Sequence, residues 1–134
     1  MDLSNTQRVF RAVEICLTTG MPYTSFKASN VTRNFEIEKV GITRPREELY
    51  SRIDRRVEAM LAAGLVDEVR SLQRYRDLTA LKTVGYREIF SYLDGEISLD
   101  KAVEDICLNT HHYAKRQLSW WRRDPSIRWI TPED

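Results

Sequence analysis

Cysteine, glycine and proline are scarce in this sequence: two, five and four among 134 residues. The cysteines, Cys16 and Cys107, lie far apart in apolar helical patterns, and no Cys-x-x-Cys pair occurs. A disulfide framework of several bridges and a thiolate zinc site are not expected; both residues read as buried, reduced thiols, with a lone disulfide as the less favoured alternative. There is no His-Glu-x-x-His and no glycine-rich phosphate loop. No metal is expected, and no nucleotide site complete within this chain. No apolar run approaches the roughly 18 residues of a membrane span, and no signal-peptide pattern opens the chain. A cytoplasmic protein with no membrane partner is expected. Charge of one sign is also lacking, since 21 Lys and Arg stand against 20 Asp and Glu, for a net charge of +1. Any nucleic-acid role must rest on local patches.

What is present is helical periodicity. Met1 to Gly20 reads as a capped helix with Val9, Val13, Cys16 and Leu17 inward, and Gln7, Arg8 and Arg11 sharing a neighbouring face. Those arginines are equally served by solvated pairing, for example with Glu14. Met21 to Asn34 reads as a loop. Phe35 to Thr43 alternates like a strand, broken near Gly41. Pro45 opens a helix with Leu49, Ile53, Val57, Met60 and Leu61 inward, and Gly64 ends it. Its Arg52, Arg55 and Arg56, mixed with Asp54 and Glu58, read as a solvated face. A second helix spans Leu65 to about Tyr75, with Val66, Val69 and Leu72 inward. Asp77 to Arg87 is the least helix-like stretch. It sets Lys82, Gly85, Tyr86 and Arg87 close together, so that the backbone can approach a ligand. The plainer reading is a turn in which Tyr86 caps the core. Tyr86 to Leu93 is helical again, closed by Asp94-Gly95.

The longest predicted helix runs from Ser98, an N-cap, to Asp124, where Pro125 stops it. Val103, Ile106, Cys107, Thr110, Ala114, Gln117, Leu118 and Trp121 fall near one stripe. From His111 to Arg123 there are two histidines, Lys115, Arg116, Arg122 and Arg123, and no acid. His112, Arg116, Ser119 and Arg123 share one line; His111, Lys115 and Arg122 share the next. A turn of one sign points to a phosphate-rich partner, and Tyr113, Trp120 and Trp121 suit base stacking. The competing reading is a solvated basic face with its tryptophans in the core. A short strand, Ile127 to Ile130, follows. The fold class is mainly α with two short β-strands. Two isolated strands do not make a stable sheet, so they are expected to join a larger one.

Four blocks then stand in order: NTQRVFRAVEICLTTG (Asn5 to Gly20), LYSRIDRRVEAMLAAGLVDEV (Leu49 to Val69), LKTVGYREIFSYLDGEISLDKAV (Leu81 to Val103) and NTHHYAKRQLSWWRRDPSIRWI (Asn109 to Ile130). The set resembles the C-terminal part of the tRNA dimethylallyltransferases, also called tRNA isopentenyltransferases, over essentially the whole chain as a single region. The resemblance implies a P-loop-kinase-like α/β fold whose N-terminal P-loop half is absent here. It implies transfer of a dimethylallyl group from dimethylallyl diphosphate to N6 of the adenosine 3′-adjacent to the anticodon. That base is flipped out to expose its amine, and Mg2+ is held mainly by the absent half. The tRNA anticodon stem-loop is the implied partner.

By the same resemblance, Gln7, Arg8, Val9, Phe10 and Arg11 form one tRNA-contacting segment, and Lys82, Thr83, Val84, Gly85, Tyr86 and Arg87 another. Lys115, Arg116, Gln117, Arg122 and Arg123 are candidate channel or RNA-backbone contacts. No catalytic residue is expected, because the P-loop and the general base are missing, and the chain alone is expected to be inactive. Its orphaned strands invite self-association. Two other readings are a stand-alone RNA-binding helical module without catalysis and a protein-interaction domain; the ordered blocks weigh against the second. The expectation common to the first two is that Arg11, Arg87 and Arg116 converge on one polyanion.

Overall fold

The computed structural model describes residues 4–26 and 34–132. The chain forms two compact units, Met1–Ile37 and Glu38–Asp134, each with its own packing.

The first unit is built on α1 (Thr6–Thr19). Asn5 caps it by accepting the Arg8 N–H at 3.1 Å, and Gly20 ends it at φ 67°, a conformation that suits glycine. A 3-10 turn follows at Tyr23–Phe26, inside the expected loop. Residues 1–3 of the expected helix and residues 27–33 of that loop lie outside the described residues. The expected buried stripe is not what this helix buries. Ala12 is the buried residue and Val9 is half-buried, whereas Val13, Cys16 and Leu17 are exposed, Leu17 by 80%. Among the described residues of its unit, α1 packs against the 3-10 turn, which has too little apolar surface to cover a helix face. Cys16, expected to be buried, is an exposed free thiol for the same reason.

The second unit holds β1 (Lys39–Ile42), α2 (Arg46–Ala62), α3 (Leu65–Ser71), α4 (Tyr86–Leu93), α5 (Leu99–Trp121) and β2 (Ile127–Ile130). Pro45 is the N-cap of α2, one residue outside the helix it was expected to begin, and Glu47 and Glu48 occupy the first turn. The turn at Gly64, φ 99°, separates α2 from α3. The helix expected to reach Tyr75 stops at Ser71, and a 3-10 turn takes over at Gln73–Tyr75. Arg76 then fastens this segment to the end of α4 through two hydrogen bonds to Asp94, at 2.9 and 2.6 Å.

The core is where α2, α3, α4 and the first half of α5 meet. Val57, Leu65, Val69, Ile89, Phe90, Ala102 and Ile106 form it. Along α5 the expected stripe is buried only in part. Ile106 is buried; Val103, Cys107, Thr110, Ala114 and Leu118 are half-buried; Gln117 and Trp121 are exposed. The helix also ends at Trp121, three residues short of Asp124. Among the described residues no helix is long and apolar enough to cross a membrane.

The strands pair with each other, in parallel, with Lys39 opposite Ile127 and Gly41 opposite Trp129. Parallel pairing follows from the connection, since helices carry the chain back across the molecule between them. Two ion pairs pin the register: Lys39 Nζ to Asp124 Oδ2 at 2.6 Å and Arg128 to Glu38 Oε1 at 2.7 Å. The expected strand from Phe35 begins only at Lys39, because β2 offers no partner before Ile127. Nor does Gly41 break it. Trp129 lies over Gly41, and a Cβ built there would meet the indole at 2.7 Å and Ile127 Cγ2 at 2.9 Å.

Gly41→Ala should therefore destabilise the unit by about 1–3 kcal/mol, the usual range for overpacking, as measured by urea unfolding. The strand lock should also respond to acid. Hydrogen bonds from Lys39, then from Ser126, hold the Asp124 carboxyl down at about 2, below the usual carboxylate range. Its stabilising contribution is present above pH 4 and is lost as pH falls towards 2. Asp124→Asn should flatten that part of the melting-temperature profile.

Candidate nucleic-acid interface

The segment before α4 folds around one backbone conformation. Gly85 sits at φ 101°, which side-chain-bearing residues rarely adopt, and starts α4. The Arg87 N–H returns to Thr83 O at 3.1 Å, closing the turn. Glu88, only 5% exposed, accepts the Gly85 N–H on Oε2 at 2.8 Å. Its other oxygen, Oε1, accepts from the Arg87 guanidinium and from the Asn109 side-chain amide of α5, each at 2.8 Å. Burial pushes the Glu88 carboxyl up. Its bonds from Arg87, from the Gly85 N–H, from its own N–H and from Asn109 outweigh that and hold it below the usual range.

The turn thus becomes one wall of a cleft of about 600 Å3. Lys82, Thr83, Val84, Gly85 and Arg87 line that wall; Arg56, Ile53 and Met60 of α2 line another; Thr110 and Tyr113 of α5 close it. Tyr86 is absent from the lining. It is half-buried, packs on the core, and donates its hydroxyl to Glu68 Oε1. The capping role read for Tyr86 is the one it has in the fold.

Along α5 the surface continues. His112, Lys115, Arg116, Ser119, Trp120 and Arg123 line a second hollow of about 390 Å3. Tyr113, Arg116 and Trp120 are three and four residues apart, so they follow one side of the helix. The guanidinium of Arg123 lies 5.9 Å from the Trp120 ring centre. Trp120 and Trp121 are 64% and 48% exposed, not the core residues of the competing reading. A third hollow joins Lys115, Ser119 and Arg122 to Arg44, Arg46 and Tyr50 at the start of α2.

Two residues between His111 and Arg123 face elsewhere. His111 is half-buried, stacked on Tyr50 at 4.0 Å between ring centres, with Nε2 2.9 Å from Asp54 Oδ1. That approach is too poorly aligned to count as a hydrogen bond. Gln117 accepts the Trp121 indole N–H at 3.3 Å beside the strands. Arg87 lines the first cleft together with Tyr113, and Arg116, one helical turn beyond Tyr113, lines the second hollow. Gln7, Arg8, Val9, Phe10 and Arg11 belong to the first unit. There Phe10 is 75% exposed, and Arg11 pairs with Glu14 at 2.7 Å, the partner the sequence offered.

Residues 1–124 match the family model described as IPP transferase. The chain belongs to the IPP transferase family. The tRNA dimethylallyltransferase 1 of Bacteroides thetaiotaomicron is 52% identical over 134 residues, covering 99% of this chain and 44% of that relative. The tRNA dimethylallyltransferase of Christiangramia forsetii is 45% identical over 130 residues, 96% of this chain and 43% of that relative. Among solved structures, the tRNA delta(2)-isopentenylpyrophosphate transferase of Staphylococcus epidermidis has a TM-score of 0.70 at 35% identity, covering 95% of this chain and 43% of that one. The tRNA isopentenylpyrophosphate transferase of Bacillus halodurans gives 0.68 at 36% identity, covering 98% and 40%. This IPP transferase chain therefore spans less than half the length of these relatives, and its fold is that of the corresponding part of theirs.

Sequence reasoning missed two contributors to the IPP transferase cleft. Arg56 was read as part of a solvated face, yet it lines the cleft opposite Arg87. Glu88 drew no attention, although a glutamate three residues after a helix-starting glycine is half of a capping box. The half-buried thiol of Cys107 is pushed up to about 11, by burial first and then by Asp54. At neutral pH it stays protonated and unreactive. Iodoacetamide at pH 7.5 should label Cys16 and leave Cys107 unmodified in the folded chain, as read by peptide mass spectrometry.

Proposed function

We propose that this chain supplies tRNA contacts and part of the channel wall of a tRNA prenyltransferase, in which a segment outside it holds the diphosphate. The reaction moves the dimethylallyl group of dimethylallyl diphosphate to N6 of the adenosine 3′-adjacent to the anticodon. A C–N6 bond forms, the C–O bond to diphosphate breaks, and the N6 proton leaves to a base. A stacked adenine hides that amine, so the base must be extruded into a protein cavity.

One observation carries the reading: a cleft that joins Lys82, Arg87 and Arg56 to the exposed ring of Tyr113, one helical turn of α5 before the separate hollow that holds Arg116 and Arg123. Cations answer the phosphates and the aromatic side chains offer stacking platforms. The names of the relatives, tRNA dimethylallyltransferases, support tRNA as the polyanion. Gln7 to Arg11 on α1 are assigned to the same partner. Lys115 and Arg122 are assigned to its backbone.

Among the described residues no group of three or more His, Cys, Asp or Glu side chains is placed to hold a metal ion. What the cleft residues do is bind and orient the RNA.

The test mixes this chain with a separately made P-loop-bearing segment of a relative, dimethylallyl diphosphate and an anticodon stem-loop. Mass spectrometry of the RNA should show an N6-dimethylallyl adenosine only when both pieces are present. RNA binding should fall steeply with salt as counterions are released. In the assembled enzyme, Arg11→Ala, Arg56→Ala and Arg87→Ala should each weaken tRNA binding on the order of ten-fold and lower the salt slope by about one unit. Wild-type affinity in all three variants would defeat the assignment.

A further inference from the structure

A helix cap needs one carboxylate oxygen, and Glu88 uses both. Oε2 takes the Gly85 N–H, which is the cap. Oε1 takes a cation from the turn, Arg87, and an amide from a different helix, Asn109. The residue is buried to 5% exposure between α4 and α5. A buried carboxylate without its donors is strongly unfavourable, so the three donors are held together as a set. The Arg87 side chain remains 60% exposed while one of its N–H groups is fixed. The guanidinium is thereby aimed along the cleft wall.

We propose that Glu88 is the positioning residue of the cleft. Its buried charge fixes the Lys82–Arg87 turn to α5 through Asn109 and holds Arg87 oriented towards RNA phosphate. This rests on the RNA reading of the cleft. It also makes a prediction whose sign separates it from simple electrostatics. Removing a negative charge beside an RNA site strengthens attraction to a polyanion. Removing a positioning carboxylate weakens binding, because Arg87 regains its rotamer freedom and its bonding geometry is lost.

Glu88→Gln keeps the size and an acceptor for the Gly85 N–H. Anticodon stem-loop binding by the full 134-residue chain is measured by fluorescence anisotropy at two salt concentrations, with thermal melts as the folding control. The expected result is roughly five-fold weaker binding despite the added positive charge. Asn109→Ala leaves the carboxylate and its cap in place, and should weaken binding in the same direction. It keeps the proposal testable if Glu88→Gln does not fold. Unchanged or tighter binding in folded variants overturns the proposal. If the wild-type chain does not bind the stem-loop, the binding comparison is made in the assembled enzyme, where wild-type affinity of Arg87→Ala defeats the RNA reading by itself. Proton–nitrogen NMR of the Arg87 side chain then decides the positioning claim. Faster solvent exchange of its N–H groups in the variants, with the Gly85 amide still protected, supports it; identical exchange overturns it.

Discussion

The second half of α5 has nowhere to be buried. Twenty-three helical residues extend about 34 Å. The core formed with α2, α3 and α4 takes Ala102 and Ile106, near the start of that length. Ala102 is fully buried, and its small side chain lets α5 lie close to its neighbours. Beyond Thr110, among the described residues, the helix meets Tyr50 and Asp54 of α2 through His111, shares a cleft with the 82–87 turn through Tyr113, and lies beside the two strands at its end. Its cations and both its tryptophans are left at the surface by geometry. A composition that would be awkward inside a core is therefore compatible with folding, and available for a ligand.

Much of this architecture is legible in the sequence because local rules and packing agree there. Ser98 caps α5 by accepting the Lys101 N–H, Gly64 turns the chain, and Val57, Val69 and Ile106 are buried as their spacing requires. Legibility fails where a tertiary contact decides. Val13 and Leu17 have the right spacing for burial, but periodicity specifies a face and not what covers it. His111 looks like one more cation in a basic run; only the approach of Tyr50 and Asp54 from α2 turns it inward. Gly41 has the look of a strand break, and the Trp129 ring lying over it makes it part of the sheet.

The cleft shows the same division. The Lys82–Arg87 turn is visible in the sequence as glycine among cations. Its second wall, Arg56, is not, because α2 carries acids beside its arginines and the pattern averages to a solvated face. The expectation of tRNA contact at the turn and at the Gln7–Arg11 segment comes from family resemblance. Local chemistry left the aromatic side chains of α5 open between surface and core, and the structure exposes them. Glu88 joins the two, since its donors come from the turn and from α5.

The parallel pairing of β1 with β2 sets the order in which this unit can assemble. Lys39 and Ile127 stand roughly ninety residues apart in sequence, and joining partners so distant costs more loop entropy than any contact within the helical core. The helices can nucleate and dock through short-range contacts, whereas the sheet must wait for α5 to deliver its end. It is expected to be the last part to close and, with four residues in each strand, the first to reopen. The chain thus carries a late-forming, weakly held edge beside an early, well-packed core.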